Sequence, residues 1–215
     1  MTKISASLLS CRDNLESITK EYNNLDIDLI HMDIMDEKFV PFNSFTSNEI
    51  ELIVNTTNKP LDVHLMVENP LEYIEFYANL NTEFITIHYE IKNYLEIIKK
   101  IKSLGIKAGI SIKPSTNVEE VYELLPIIDL VLIMSVEPGQ GGQKFMPNAV
   151  EKINKLNKKI KSLNLNVLIS VDGGINNNSA IECKENGVDI LVIGSALLNS
   201  ADKIKFIEDC KKLNN

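Results

Sequence analysis

The sequence predicts an α/β protein closed into a (β/α)8 (TIM) barrel, and three observations carry that prediction. Eight short apolar segments alternate with helical patterns at roughly 25-residue spacing, and eight such units close a barrel at about this length, 215 residues. No linker or low-complexity stretch interrupts the alternation, so residues 1–215 read as one domain. Polar groups collect at the C-terminal ends of the apolar segments, the face on which such barrels carry their chemistry. The rival is an open doubly wound sheet, but the first strand-to-helix turn has no GxGxxG, which weighs against a dinucleotide-binding version of it.

Lys3–Ser7 opens the chain as a strand and leads into Leu8-Leu9-Ser10. Asp13 is the expected N-cap of a helix on which Leu15, Ile18 and Tyr22 recur at helical spacing. Leu29–Met32 is the second strand. The loop Asp36 to Asn48, broken by Pro41, runs into a short helix marked by Ile50, Leu52, Ile53 and Val54. Pro60–Met66 is the third strand. Asn69-Pro70 starts a helix as a cap followed by proline at the first helical position, with Leu71, Ile74 and Tyr77 as its apolar stripe. Phe84–His88 is the fourth strand, and the helix over Tyr94–Leu104 stops at Gly105. Lys107–Ile112 is the fifth strand, with a helix over Val118–Leu125 that ends near Pro126. Leu130–Met134 is the sixth strand and Asn148–Leu163 a long amphipathic helix. Asn166–Val171, a helix over Ser179–Asn186, Ile190–Ile193 and a last helix from Asp202 complete the count.

Composition narrows the function. The chain is 44% apolar and 24% charged, ordinary for a globular protein. Its formal net charge of −8 argues against a general nucleic-acid binder, which needs a basic face. One phosphorylated metabolite remains compatible, because a few backbone amides can hold it. The basic run Lys152–Lys161 reads as the solvated face of a helix. Cys11, Cys183 and Cys210 fit no zinc or redox spacing. With no secretory apolar region and nothing near the ~20 apolar residues of a membrane span, a cytoplasmic protein is expected, with no membrane partner.

The chemistry is expected where the strands end. His31 and Asp33 stand two apart, so on a strand they share a side. His64, His88 and Asp172 close three further apolar runs. His31, Asp33, His64 and Asp172 form a two-nitrogen, two-carboxylate set suited to one divalent ion of Zn, Fe(II), Mn or Co, with positions open for substrate oxygens. Asp33 and Asp172 fall on strands two and seven, across the barrel mouth. A substrate between them has one carboxylate on each face, the arrangement that removes a proton from one face of a carbon and returns it to the other. Asp172-Gly173-Gly174 and Gly194-Ser195 follow strands seven and eight, where phosphate sites of such barrels lie. A third cluster, Glu137-Pro-Gly-Gln-Gly-Gly142, is placed to close over the site. Met35, Met66 and Met134 fall at strand ends, where they either fill core or line the reacting carbons.

These residues resemble a family. SASLLS at 5–10, DLIHMDIMDEKFVP at 28–41, LDVHLMVENP at 61–70, KAGISIKP at 107–114, VLIMSVEPGQGGQKFMP at 131–147, SVDGGIN at 170–176 and VIGSAL at 192–197 resemble ribulose-phosphate 3-epimerases over essentially the whole chain. The resemblance implies the ribulose-phosphate-binding type of barrel. It also implies a metal-dependent interconversion of D-ribulose 5-phosphate and D-xylulose 5-phosphate in the pentose phosphate pathway. Asp33 and Asp172 would be the acid/base pair and also metal ligands, with His31 and His64 completing the set. Ser7 and His64 would contact substrate. So would Gly139, Gln140, Gly141 and Gly142, Asp172 to Gly174, and Gly194 with Ser195. Met35, Met66 and Met134 would form a cap, and the chain would assemble as a homodimer or hexamer.

The chain departs from the family pattern at Ala6, Glu37, Lys38, Phe42 and Gln140, and in the NSFTSNE stretch, without losing a ligand or a carboxylate. The changed Glu37–Asn48 loop borders the mouth, so a ketohexose 6-phosphate such as D-allulose 6-phosphate is the alternative substrate. A non-catalytic phosphosugar-binding barrel is the alternative of another class.

Overall fold

The structure, a computed structural model, describes residues 2–212. Eight parallel strands pair in chain order: β1 (Lys3–Ser7), β2 (Leu29–Met35), β3 (Leu61–Met66), β4 (Thr82–His88), β5 (Lys107–Ile112), β6 (Leu130–Met134), β7 (Leu168–Asp172) and β8 (Ile190–Ile193). β8 pairs back onto β1, so the sheet is a closed (β/α)8 barrel. Around it run α1 (Leu15–Asn23), α2 (Ser47–Thr56), α3 (Leu71–Ala78), α4 (Tyr94–Ser103), α5 (Asn148–Ser162), α6 (Asn177–Glu185), α7 (Ser195–Leu198) and α8 (Lys203–Lys211). No helix of the described residues is long and apolar enough to cross a membrane.

Several boundaries differ from the sequence expectation. β2 runs on to Met35, past the expected end at Met32, because the alternation of sides continues. Ile30, Met32 and Ile34 join the layer under the helices, while His31, Asp33 and Met35 face the barrel interior. Asp13 caps nothing. It lies inside a 3-10 turn over Leu9–Asn14, and α1 starts at Leu15 with no side-chain cap bond. The segment after β5 is a 3-10 helix, Val118–Leu124, held between the Asn117–Glu120 capping box and Pro126. α6 starts at Asn177 because Asn176 is the cap, its side chain accepting from the Asn178 and Ser179 amides. α7 has no counterpart in the sequence expectation, since four residues carry no periodicity to read.

Two cores result. The larger lies between barrel and helices and takes the outward strand residues with Ile53, Ile74, Tyr77, Ile101, Ile153 and Leu156. Each fully buried side chain of this size stabilises the fold by roughly 1.5–3 kcal/mol relative to exposure. The barrel interior mixes two kinds of side chain. An apolar cluster joins Leu29 on β2 and Phe84 on β4 to Leu130, Leu132, Met134, Ile190 and Val192 on β6 and β8. Around it lie Ser5, Ser7, His31, Asp33, Asp62, His64, Thr86 and His88 on β1–β4, with Ser111 on β5 and Ser170 on β7, all buried. Cys11, Cys183 and Cys210 are buried free thiols, and burial raises their pKa values to about 11, 12 and 11. Cys11 follows β1, Cys183 is on α6, and Cys210 is on α8, which packs on α6 and β1.

Candidate active site

Parallel register builds the site. Asp33 on β2 is level with His64 on β3, and His31 is level with Asp62 one layer below. Met134 on β6 is level with Asp172 on β7. His31, Asp33, His64 and Asp172 each offer one donor atom, and those atoms lie within 4.8 Å of one another. His31 Nε2 is 3.3 Å from Asp33 Oδ1 and 4.0 Å from Asp172 Oδ2, and His64 Nδ1 is 3.3 Å from Asp33 Oδ1.

The donor set fits a divalent cation on the evidence of one nitrogen. His31 Nδ1 lies 2.8 Å from Asp62 Oδ2, which also accepts from Ser5 Oγ at 2.8 Å. With its Nδ1 proton given to Asp62, the imidazole turns the Nε2 lone pair toward two carboxylates. That nitrogen is buried and has no hydrogen-bond partner among the described residues. A lone pair facing carboxylates in a dry interior is repulsive, and a positive charge there, whether an added proton or a divalent cation, removes the repulsion.

The two carboxylates have opposite leanings. Burial opposes the charge of Asp33, but the imidazoles of His31 and His64 outweigh it and hold the carboxyl far below its usual range. Asp172 is pushed up to about 6, first by burial and then by the charge of Asp33 facing it. Burial disfavours the imidazolium of His31, but Asp33 and Asp62 outweigh it and raise its pKa. Two carboxyls so split can hold one proton between them.

The remaining expected residues fall around a small cavity above this cluster. Met35, Met66 and Met134 line it beside Asp33 and Asp172. Gly139, Gln140, Gly141 and Gly142 approach from the loop after β6. Gly173 and Gly174 approach from the loop after β7, and Gly194 and Ser195 from β8 and the start of α7. Gly174 has φ +64°, and a Cβ there would run into the backbone of Phe145 and Gln143, so only glycine lets these two loops meet. Ser7 also borders the cavity, but its hydroxyl donates to Asp33 Oδ2 at 3.1 Å and so orients that carboxylate. His31 and His64 lie wholly buried beneath the cavity.

Four supporting residues have no place in the sequence expectation. Asp62 holds His31. Ser135 shares its one hydroxyl proton between the carbonyls of Asp172 and Gly173, 2.8 and 2.6 Å from its Oγ, fixing the turn that presents Asp172. Ser10 lines the cavity beside the glycine loops. Glu90 pairs with His88, a strand-end histidine to which the sequence assigns no role. Asp62 has a legible signal, since it stands two residues before His64 and shares its face. Ser10, Ser135 and Glu90 lie outside the strands, where periodicity says nothing about direction.

Comparison with known proteins gives a consistent result. Residues 3–198 match the sequence model of the Ribulose-phosphate 3 epimerase family. A ribulose-phosphate 3-epimerase of Helicobacter pylori is 39% identical over 208 residues, covering 96% of this chain and 95% of that protein. The cytoplasmic isoform from Oryza sativa is 38% identical over 216 residues, covering 98% of this chain and 93% of that protein. Among solved structures, KGPDC from Streptococcus mutans, in a ligand complex, superposes with a TM-score of 0.70 at 11% identity, covering 100% of this chain and 99% of that one. The 3-hexulose-6-phosphate synthase of Salmonella typhimurium gives 0.69 at 15% identity, covering 97% and 96%. Likeness at those identities speaks for the barrel alone.

Proposed function

This chain belongs to the ribulose-phosphate 3-epimerase family, and we propose that it interconverts D-ribulose 5-phosphate and D-xylulose 5-phosphate, an isomerase reaction at C3 within the pentose phosphate pathway. The observation that carries the reading is the pair of carboxyls with opposed proton affinities, Asp33 and Asp172, at the floor of one cavity. Asp33, ionised, takes the C3 proton from one face of the substrate. Asp172, protonated, returns a proton to the other face. The roles exchange in the reverse direction. His31, Asp33, His64 and Asp172 would hold one divalent cation, of Zn, Fe(II), Mn or Co. When bound it stabilises the negative charge that develops on the substrate oxygens as C3 loses its proton. Ser7 holds Asp33 in place. Met35, Met66 and Met134 keep water from the reacting carbons. The amides of Gly173, Gly174, Gly194 and Ser195 hold the phosphate, and the loop Gly139–Gly142 covers the sugar. The chain works as a homo-oligomer in the cytoplasm.

Purified protein stripped with a chelator and reloaded with one of the four metals converts ribulose 5-phosphate to xylulose 5-phosphate. Asp33→Asn and Asp172→Asn each lower turnover by about 10²–10⁴-fold. A folded, metal-loaded protein without turnover, and without exchange of the C3 proton into solvent, would instead be a phosphosugar-binding barrel. Comparing kcat/KM for ribulose 5-phosphate and allulose 6-phosphate tests the pentose assignment, and a higher value for the hexose would reverse it.

A further inference from the structure

From the donor residue His64 a line of side chains runs outward through the buried His88 to the exposed Glu90, and the proposed reaction assigns His88 and Glu90 no part. His64 Nδ1 faces Asp33, and its other nitrogen, Nε2, lies 2.9 Å from His88 Nε2. His88 Nδ1 lies 3.0 Å from Glu90 Oε2. The second oxygen of Glu90 accepts from the Lys113 amide at 2.9 Å and from the Thr116 hydroxyl. The turn that carries these two donors is tied to α5 by Lys152, whose ammonium donates to the carbonyls of Lys113, Pro114 and Thr116 at 3.1, 2.8 and 2.6 Å. From the barrel mouth the Phe39 ring tilts over His88 with centroids 4.6 Å apart. His64 and His88 are both wholly buried.

With both imidazoles neutral, the contacts among His64, His88 and Glu90 leave one arrangement of protons. Glu90 is acceptor-only as a carboxylate, so His88 must carry its proton on Nδ1 and present a lone pair at Nε2. His64 must then donate from Nε2, which leaves its Nδ1 lone pair aimed at the Asp33 side. We propose that His88 and Glu90 are positioning residues that fix the tautomer and ring orientation of His64 and so set the affinity of the site for a divalent cation. The inference rests on the reading of His64 as an Nδ1 ligand. An orienting partner of this kind is typically worth 10–100-fold in metal affinity.

The test is zinc affinity, measured by competition with a chromophoric chelator on metal-free full-length protein. Wild-type protein should bind one zinc per chain. His88→Leu, which cannot accept from His64, should bind about 10–100-fold more weakly. Glu90→Gln should weaken binding by less, since its amide oxygen still accepts from His88. His88→Gln, with an acceptor near the same place, should recover most of the affinity. In the zinc-loaded wild type, nitrogen-15 NMR should find the proton of His64 on Nε2 and that of His88 on Nδ1. Unchanged zinc affinity in Glu90→Gln and His88→Leu, or the opposite tautomers in the wild type, overturns the proposal. If the leucine variant does not fold, the Glu90→Gln affinity and the wild-type tautomers decide alone. Failure of wild-type protein to bind zinc, manganese, iron or cobalt would overturn the metal site itself, a result distinct from loss of the relay.

Discussion

Asp172 behaves in opposite ways with and without a cation. Its carboxyl is raised from 3.8 to about 6 in the folded chain, so the unfolded chain releases that proton first. Its contribution therefore favours folding least above about pH 6: stability is fully present below the ordinary carboxyl value and falls as pH rises through this window. Asp172→Asn should stabilise the metal-free protein at pH 7.5 by about 2–3 kcal/mol and leave it nearly unchanged at pH 3.5, read from denaturant midpoints. In the presence of metal the same substitution should cost affinity, because it removes a charged donor. An increase in metal-free stability that does not depend on pH would mean that the carboxyl is not strained by burial. At this scale the residues that alternate along strands are legible in the sequence. His31, Asp33 and His64 obey the period of two, and every histidine of the chain falls in or beside the site. Contacts between strands are not, since the pairing of His31 with Asp62 depends on a register between segments 31 positions apart.

The elements hold their places through a few side chains that a periodicity cannot show. Lys152 on α5 gives its ammonium to three carbonyls of the turn after β5. Lys152→Met should leave those carbonyls short of donors and cost about 1–3 kcal/mol, measured by urea denaturation, with little effect on far-UV circular dichroism. The basic run reads in sequence as a solvated face, and the structure corrects this for Lys152, whose neighbour Lys155 does pair with exposed Glu119 and Glu151. Strand positions are legible because each is a short apolar run, and β2 outran its expected end where an inward polar residue, Asp33, continued the strand. Short elements are not legible. The 3-10 turn Leu9–Asn14 and the four residues of α7 present too few turns for a stripe, although α7 begins at Ser195, one of the expected phosphate contacts.

At the scale of the whole molecule, the barrel interior sets an apolar cluster from β2, β4, β6 and β8 against buried polar groups that are densest on β1–β4. Polar groups held at 0–6% exposure oppose folding unless they are paired, so the β2–β3 side gains most from a bound cation. Metal at 100 times its dissociation constant should add about 2.7 kcal/mol to the stability of the stripped protein, visible as a rise in Tm, and Asp33→Asn should shrink that rise. Closure itself is legible from eight evenly spaced units. The grouping of the polar side chains is not, because it emerges only when strands distant in sequence become neighbours around a ring. Closure also leaves three sulfurs where the last helix packs, in the first, seventh and last units, none of them able to ionise at neutral pH while packed. They make a built-in clock for the opening of that packing. Under alkylating reagent each sulfur should become modified only as fast as its own wall parts. If the final unit peels away before the rest, Cys210 and Cys183 will be marked together, with Cys11 following, while the His31 side of the ring stays shut.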